Sequence, residues 1–135
     1  MANAIYDKFR QARMTADTNI DLENEDVRVI LVDAADYTFS QAHDFLDDVP
    51  GAARVAVSGA MTGKTVTDGA FDAADVTFTA VSGDQSEALI IYRHTGTEST
   101  SRLIAYIDTG VTGLPVTPSG ADITVTWNAS GIFKS

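Results

Sequence analysis

The chain has 135 residues with nineteen acidic and nine basic side chains, and its net charge at pH 7 is -10. Such an acidic surface repels phosphate and anionic lipid, which makes nucleic acid and membranes poor candidates for partners. The absence of cysteine excludes disulfides, thiol catalysis and thiolate metal sites.

The length and the 44% hydrophobic content predict a single globular domain with its own core. No basic segment followed by an apolar one opens the chain, so we expect a product without a secretion signal.

Residues 3–14 are predicted to form a short helix, because apolar residues recur along one helical face. These residues are Ile5, Tyr6, Phe9 and Ala12. The segment also carries three of the nine bases, which are Lys8, Arg10 and Arg13. Residues 17–26 hold five acids and no base. We therefore divide the single domain into a helical arm and acidic loop, residues 1–26, and a β-sandwich, residues 27–135.

The segment Val27–Val32 is apolar and rich in β-branched residues on both faces, which is typical of a central strand covered on each side. A second short helix is predicted after Ser40, a residue suited to the N-cap position. Pro50 would stop that helix within about three turns.

From residue 53 onward, short alternating segments are separated by turn residues, mainly glycine, proline and aspartate. The predicted strands are residues 54–58, 64–67, 76–81, 88–93, 102–108, 123–127 and 132–134. This spacing favours an antiparallel sandwich over βαβ units, which need helical crossovers. Adding the strand at 27–32 gives about eight, as in a jelly roll, although a Greek-key sandwich has a similar number. The predicted fold is all-β, a jelly roll by preference, with one or two short N-terminal helices.

Two patterns could indicate ligand binding. Residues 59–65 are similar to a phosphate-binding loop, but Ser58 stands where its first glycine belongs and no long helix follows. The carboxylates of Asp68, Asp72 and Asp75 could surround a calcium ion, although their spacing is not that of an EF-hand. Both segments are more simply explained as turns, so we expect no cofactor and no metal.

Two further sets of residues could indicate catalysis or sugar binding. His43 and His94 could serve a Ser/His/Asp hydrolase, but no nucleophile elbow is present, so we expect no enzyme. Trp127, Tyr92 and Tyr106 could form a platform on which a sugar stacks, or could belong to the core.

Four segments, residues 1–8, 29–37, 63–69 and 75–114, resemble small virion proteins of tailed bacteriophages. That family consists of capsid decoration, or cementing, proteins with a jelly-roll fold that bind the outside of an icosahedral shell. The resemblance implies a structural protein on the outer capsid surface of the virion, made in the bacterial host cytoplasm. The implied partner is the major capsid protein, and the implied state on the capsid is a homo-oligomer, either dimer or trimer.

We expect the basic, amphipathic arm to make the capsid or subunit contact, because it concentrates bases on an acidic chain. The residues of this hypothesis are Ile5, Tyr6, Phe9, Arg10 and Arg13. The alternative is that this helix covers the protein's own sandwich. Two other functions remain open, a phage tail or baseplate component and a carbohydrate-binding module that aids adhesion.

Overall fold

The structure, a computed structural model, describes residues 3–17 and 20–134. Within those residues it has one α-helix, α1 (Asp7–Met14), and ten strands. The strands are β1 (Ala4–Ile5), β2 (Val27–Val32), β3 (Arg54–Val57), β4 (Thr65–Thr67), β5 (Ala70–Asp72), β6 (Val76–Phe78), β7 (Ala88–Arg93), β8 (Leu103–Ile107), β9 (Ile123–Val125) and β10 (Phe133–Lys134). Short 3-10 turns lie at Leu46–Asp48, Gly51–Ala53 and Glu98–Thr100.

The strands of the described residues form three antiparallel sheets. The largest has five strands in the order β1-β8-β7-β2-β3, the second has the order β10-β5-β4, and the third pairs β6 with β9. The predicted all-β, antiparallel sandwich is therefore confirmed. The strand order does not identify a jelly roll, so that topology stays a prediction.

The five-stranded sheet lies at the centre of the core. Its strand β2 runs between β7 and β3, and five of its six residues are buried, so both faces of the strand are covered. Ile30 lies opposite Ile90 of β7, and neither side chain is exposed to solvent. Full burial of one such side chain contributes about 1.5–3 kcal/mol. The central strand predicted from Val27–Val32 is confirmed.

The N-terminal segment joins the same sheet and core. Strand β1 pairs with β8, with Ala4 opposite Tyr106, and the Tyr6 N–H donates to the Ile104 carbonyl at 3.1 Å. Because residues 4–5 are extended along β8, the helix begins at Asp7 and not at Asn3. The predicted helix is thus confirmed only over its C-terminal two thirds.

The prediction of a second helix after Ser40 is wrong. Residues 40–45 are not helical, and between them and Pro50 lies only the single 3-10 turn at Leu46–Asp48. Phe45 has an extended backbone and forms a β-bridge with Arg102, and the Leu103 N–H donates to the Asp44 carbonyl at 2.9 Å. This long-range pairing with the start of β8 outweighs a weak local preference for helix.

Strands β4 and β5 form a tight hairpin, of which only β4 was predicted. Asp68 and Gly69 close it with positive φ angles of 51° and 81°, as in a type I′ turn. Val66 lies opposite Phe71 in this pair. Every residue of β4 is exposed, and β4 is the outer strand of its sheet, so the hairpin leaves an open sheet edge.

Candidate functional site

The five predicted contact residues lie on β1, α1 and their junction, and they divide into a buried and a surface group. Ile5, Tyr6 and Phe9 are only 6%, 0% and 1% exposed and belong to the protein's own core. Arg10 is half-buried and Arg13 is exposed. The three apolar residues could contact another protein only by leaving the core. The contact hypothesis therefore stays a prediction that concerns the basic side chains.

The bases of α1 differ in their surroundings. Nη1 of Arg10 donates to the Ile5 carbonyl and to Oδ1 of Asp7, each at 3.2 Å. The guanidinium carbon of Arg13 lies 5.3 Å from the centre of the Phe9 ring, and Lys8 is exposed. Asp7 offsets the charge of Arg10, so Lys8 and Arg13 provide most of the positive surface of the helix.

A cleft of about 310 Å³, here called the α1 cleft, lies among α1, residues 20–24 and the three-stranded sheet. Phe9, Leu22 and Phe71 form a buried apolar floor, and the centres of the Phe71 and Phe133 rings are 5.5 Å apart. Val66 also lines the cleft and is 46% exposed. The α1 cleft therefore offers apolar surface to a partner.

The polar rim of the α1 cleft is the acidic loop, residues 21–24. The Asp21 carboxylate accepts hydrogen bonds from the Asn24 side chain at 2.9 Å and from the Asn24 and Glu23 N–H groups at 3.2 Å. These bonds, led by the one from the Asn24 side chain, hold the pKa of Asp21 below its usual value, so Asp21 is ionised at neutral pH. Oε2 of Glu23 accepts a hydrogen bond from the Val66 N–H at 3.1 Å. The rim is thus negatively charged and tied to the edge of β4.

A second cleft, of about 420 Å³, has aromatic walls formed by Tyr37, Phe39 and Tyr106. The Tyr106 ring centre lies 5.1 Å from that of Phe39 and 6.0 Å from that of Tyr37. Burial raises the pKa of Tyr106, and the neighbouring carboxylates of Asp108 and Glu87 raise it further. Its hydroxyl therefore stays protonated at neutral pH.

The three rings considered as a sugar platform are separated and buried. Tyr92 and Trp127 are 2% and 6% exposed, and the Trp127 Nε1–H donates to the Ala74 carbonyl at 3.1 Å. Tyr106 lines the second cleft and is 4% exposed. These rings do not form an exposed stacking surface, so the core interpretation holds for Tyr92 and Trp127.

The two histidines contact tyrosines. Nδ1 of His43 lies 2.8 Å from the Tyr37 hydroxyl, and Nδ1 of His94 lies 3.5 Å from the Tyr92 hydroxyl. In the part of the chain that the structure describes, neither histidine ring is hydrogen-bonded to a serine hydroxyl. The arrangement required for a Ser/His/Asp hydrolase is not assembled there.

The carboxylates considered for calcium are used in separate local contacts. Asp68 closes the β4–β5 hairpin, Asp72 accepts a hydrogen bond from the Ala73 N–H, and Asp75 accepts one from the Trp127 N–H. Among the described residues, carboxylate oxygens within 4.8 Å of one another occur instead in two other triplets, Asp33, Asp36 and Asp84, and Asp44, Asp47 and Asp48. Clusters of acidic groups near the surface are common without an ion.

The segment similar to a phosphate-binding loop leads into a strand. Residue Lys64 is followed by β4, and its Nζ donates to the Glu25 carbonyl. No α-helix among residues 3–17 and 20–134 begins after Lys64, so no helix N-terminus is available there for a phosphate.

Comparisons of the chain with protein-family models and with curated proteins found no match. No helix of the described residues is long and apolar enough to cross a membrane. The resemblance to decoration proteins therefore rests on the four sequence segments alone, and the function drawn from it is a proposal.

Proposed function

We propose that this protein is a structural virion component that binds the outside of an icosahedral phage capsid and bridges major capsid subunits. The partner comes from the sequence resemblance. The structural support is that the β framework of this acidic protein holds a basic helix, α1, in a fixed position.

One observation carries the proposal: α1 is fixed at its N-terminus, to the central sheet and to the loop after β2. The Tyr6 N–H bonds to the Ile104 carbonyl of β8 and the Asp7 N–H bonds to the Gln41 carbonyl, at 3.1 and 3.2 Å. Phe9 is buried beneath the helix. Lys8 and Arg13 are therefore presented at fixed positions. A preorganised surface loses less conformational entropy on binding, which favours a stable contact.

Such a contact would stabilise the shell by linkage. A protein that bridges subunits binds the assembled shell and not the separated subunits, so its binding free energy adds to the stability of the assembly. At a free concentration of one hundred times the Kd, the gain is about 2.7 kcal/mol per site. A homo-oligomer on the capsid would follow the local symmetry of its site, as a dimer at a two-fold axis or a trimer at a three-fold axis.

The copy number per particle tests this proposal. Quantitative mass spectrometry of purified virions should find hundreds of copies, and cryo-electron microscopy should show density at every equivalent capsid position. A few to a few dozen copies confined to the tail would support the tail or baseplate alternative and would exclude cementing. Absence of the chain from virions would exclude both.

A further inference from the structure

We propose that the outer edge of β4 and the adjoining α1 cleft bind an extended segment of a partner protein, with one apolar side chain flanked by lysine or arginine. The segment would add to the sheet as a fourth strand. This inference does not require the partner to be a capsid protein.

The first step concerns the backbone of the edge strand. The Val66 N–H bonds to Glu23 and therefore points away from β5. In an antiparallel strand, the N–H and C=O of one residue point to the same side. Both polar groups of the Val66 backbone thus face outward. An incoming strand could exchange two hydrogen bonds with this residue, as in other cases of strand addition.

The second step concerns Glu23, which occupies the position of a partner's carbonyl oxygen. Its carboxylate bonds to the Val66 N–H at 3.1 Å across an exposed surface. Solvent can hydrate this carboxylate when it moves away, so the bond is easily exchanged. Exposed sheet edges invite unwanted pairing, and charged side chains commonly protect them. Glu23 therefore protects the edge and can be displaced by a strand.

The third step concerns the side chain that the partner would present. On one face of a sheet, directly opposite residues have Cβ atoms about 4.5–5.5 Å apart. Val66 and Phe71 are opposite each other and both line the α1 cleft. The partner residue opposite Val66 would lie on the same face and project toward the cleft. The apolar floor favours an aromatic or aliphatic side chain there.

The fourth step concerns charge. Asp21 and Glu23 stand at the rim, whereas Arg13 is the one base that lines the cleft among the described residues and lies over the Phe9 ring. Basic residues on both sides of the apolar one would complement this rim. A second copy of the chain is a poorer occupant, because each copy carries a net charge of -10.

The experiment uses the full chain and the blocked peptide Lys-Thr-Thr-Phe-Thr-Thr-Lys as the probe, followed by NMR of the ¹⁵N-labelled protein. We expect saturable binding with a Kd of about 1 mM or tighter. The amide signals of Val66, Phe71 and Glu23 should shift. Replacing both lysines of the probe by glutamate should weaken binding about tenfold, and added salt should reduce that difference.

Three substitutions separate strand addition from nonspecific contact. Val66→Pro removes an N–H that β5 does not use, so the hairpin should persist while binding falls about tenfold or more. Val66→Thr keeps the N–H and the β-branched shape and should weaken binding less. Glu23→Ala frees the edge but also removes one charge of the rim, so its effect is measured with a probe whose two lysines are replaced by glutamine. Binding of that neutral probe should tighten about threefold, a gain that misfolding cannot produce.

Three results would overturn the proposal. The first is absence of shifts at β4 up to millimolar probe, and the second is equal binding by the Val66→Pro variant in a folded state. The third is a set of shifts at β4 that depends on protein concentration alone, which would make a second copy the occupant. None of these results bears on the copy number in virions, so this inference and the proposed function fail separately.

Discussion

The hydroxyl groups of Tyr6 and Tyr37 are 2.8 Å apart and form a buried hydrogen bond. The Tyr37 hydroxyl also lies 2.8 Å from Nδ1 of His43. Tyr6 precedes α1, whereas Tyr37 and His43 belong to the loop after β2. The bond therefore connects two segments 31 positions apart in sequence and helps to fix the start of the helix.

Removing the Tyr6 hydroxyl should reduce the stability of the protein less than removing the Tyr37 hydroxyl. In Tyr37→Phe, the fully buried Tyr6 hydroxyl loses its only hydrogen bond with a described residue, so we expect a loss of about 1–3 kcal/mol in the free energy of unfolding. In Tyr6→Phe, Tyr37 keeps its contact with His43, and about 1 kcal/mol or less should be lost. Urea denaturation of both variants measures the difference. Equal losses of stability in the two variants would mean that the contact with His43 does not satisfy the Tyr37 hydroxyl in Tyr6→Phe.

Alkaline pH should destabilise the protein through its tyrosines. Burial raises the pKa of Tyr37 from 10.0 to about 12, and burial likewise raises the pKa of Tyr6, Tyr92 and Tyr106. The folded state thus keeps these protons at pH values where the unfolded state has released them. The contribution of this difference to the free energy of unfolding is fully present below pH 10 and is lost as the pH rises from 10 toward 12.

The expected measurement is denaturant unfolding at several pH values from neutral to strongly alkaline. The free energy of unfolding should decline above pH 10, and Tyr37→Phe should decline less steeply because one of the contributing groups is absent. Lysine side chains ordinarily titrate in the same region, so the difference between the two proteins is the informative quantity. Parallel curves would contradict the assignment to Tyr37.

Two glycines allow backbone strain to be separated from steric overlap. Gly113 and Gly120 both have positive φ, 115° and 89°, but only at Gly113 would a Cβ meet backbone, the Thr124 carbonyl oxygen at 2.9 Å. Gly120→Ala should cost about 1–2 kcal/mol from strain alone. Gly113→Ala should cost about 2–5 kcal/mol, because the neighbouring strand β9 must move. Thermal and urea unfolding of the two variants tests this order, and a larger loss at Gly120 would refute it.

Arg54 should stabilise the protein mainly through its hydrogen bonds to two backbone carbonyl groups. Its guanidinium donates to the Leu46 carbonyl at 2.9 Å and to the Val49 carbonyl at 2.6 and 3.0 Å, and also pairs with the Glu98 carboxylate at 2.9 and 3.0 Å. Arg54→Met would leave the two carbonyls without this donor and should cost about 2 kcal/mol. Glu98→Gln should cost much less, since Glu98 is exposed.

The pKa of Glu98 provides a direct check on this ion pair. The hydrogen bonds from Arg54, and then its charge, lower the pKa of Glu98 below its usual value. NMR titration of the Glu98 carboxyl should therefore show the pKa return toward the usual value in Arg54→Met. An unchanged pKa would show that the pair does not form in solution.

Sequence patterns predicted those parts of the fold that depend on long apolar runs. Val27–Val32 and Ala88–Arg93 were predicted within their observed bounds, because a strand buried on both faces needs apolar residues throughout. Strand β5 was missed because Ala70–Asp72 is short and ends in aspartate. The segment before Pro50 was assigned as a helix because Ser40 suits the N-cap position, whereas its observed pairing with Arg102 and Leu103 is a long-range contact. Local patterns do not contain that information.

The α1 cleft was not predicted, since its lining brings together Phe9, Leu22, Phe71 and Phe133 from four separate segments. One local signal was available. Asp68 and Gly69, between alternating residues, are typical of a two-residue hairpin turn. Recognising that hairpin would have placed Val66 opposite Phe71 and identified β4 as a candidate edge. The contact between Glu23 and Val66 spans 43 positions and needs the folded structure.

The helix α1 provides a direct test of the proposed capsid contact, provided that its core residues are kept. Deleting residues 2–14 would remove the buried side chains of Ile5, Tyr6 and Phe9, and the protein should unfold for that reason alone. The substitutions Lys8→Gln and Arg13→Gln remove exposed charges instead and should leave the fold intact.

We expect the double variant to occupy capsids that lack the protein less completely than the wild type. The control is Lys134→Gln, which removes one exposed charge from β10 and should leave occupancy unchanged. Full occupancy by the double variant would exclude Lys8 and Arg13 from the contact. A loss in the control of about half the loss in the double variant, in proportion to the charge removed, would show that occupancy follows net charge and not a specific surface on α1.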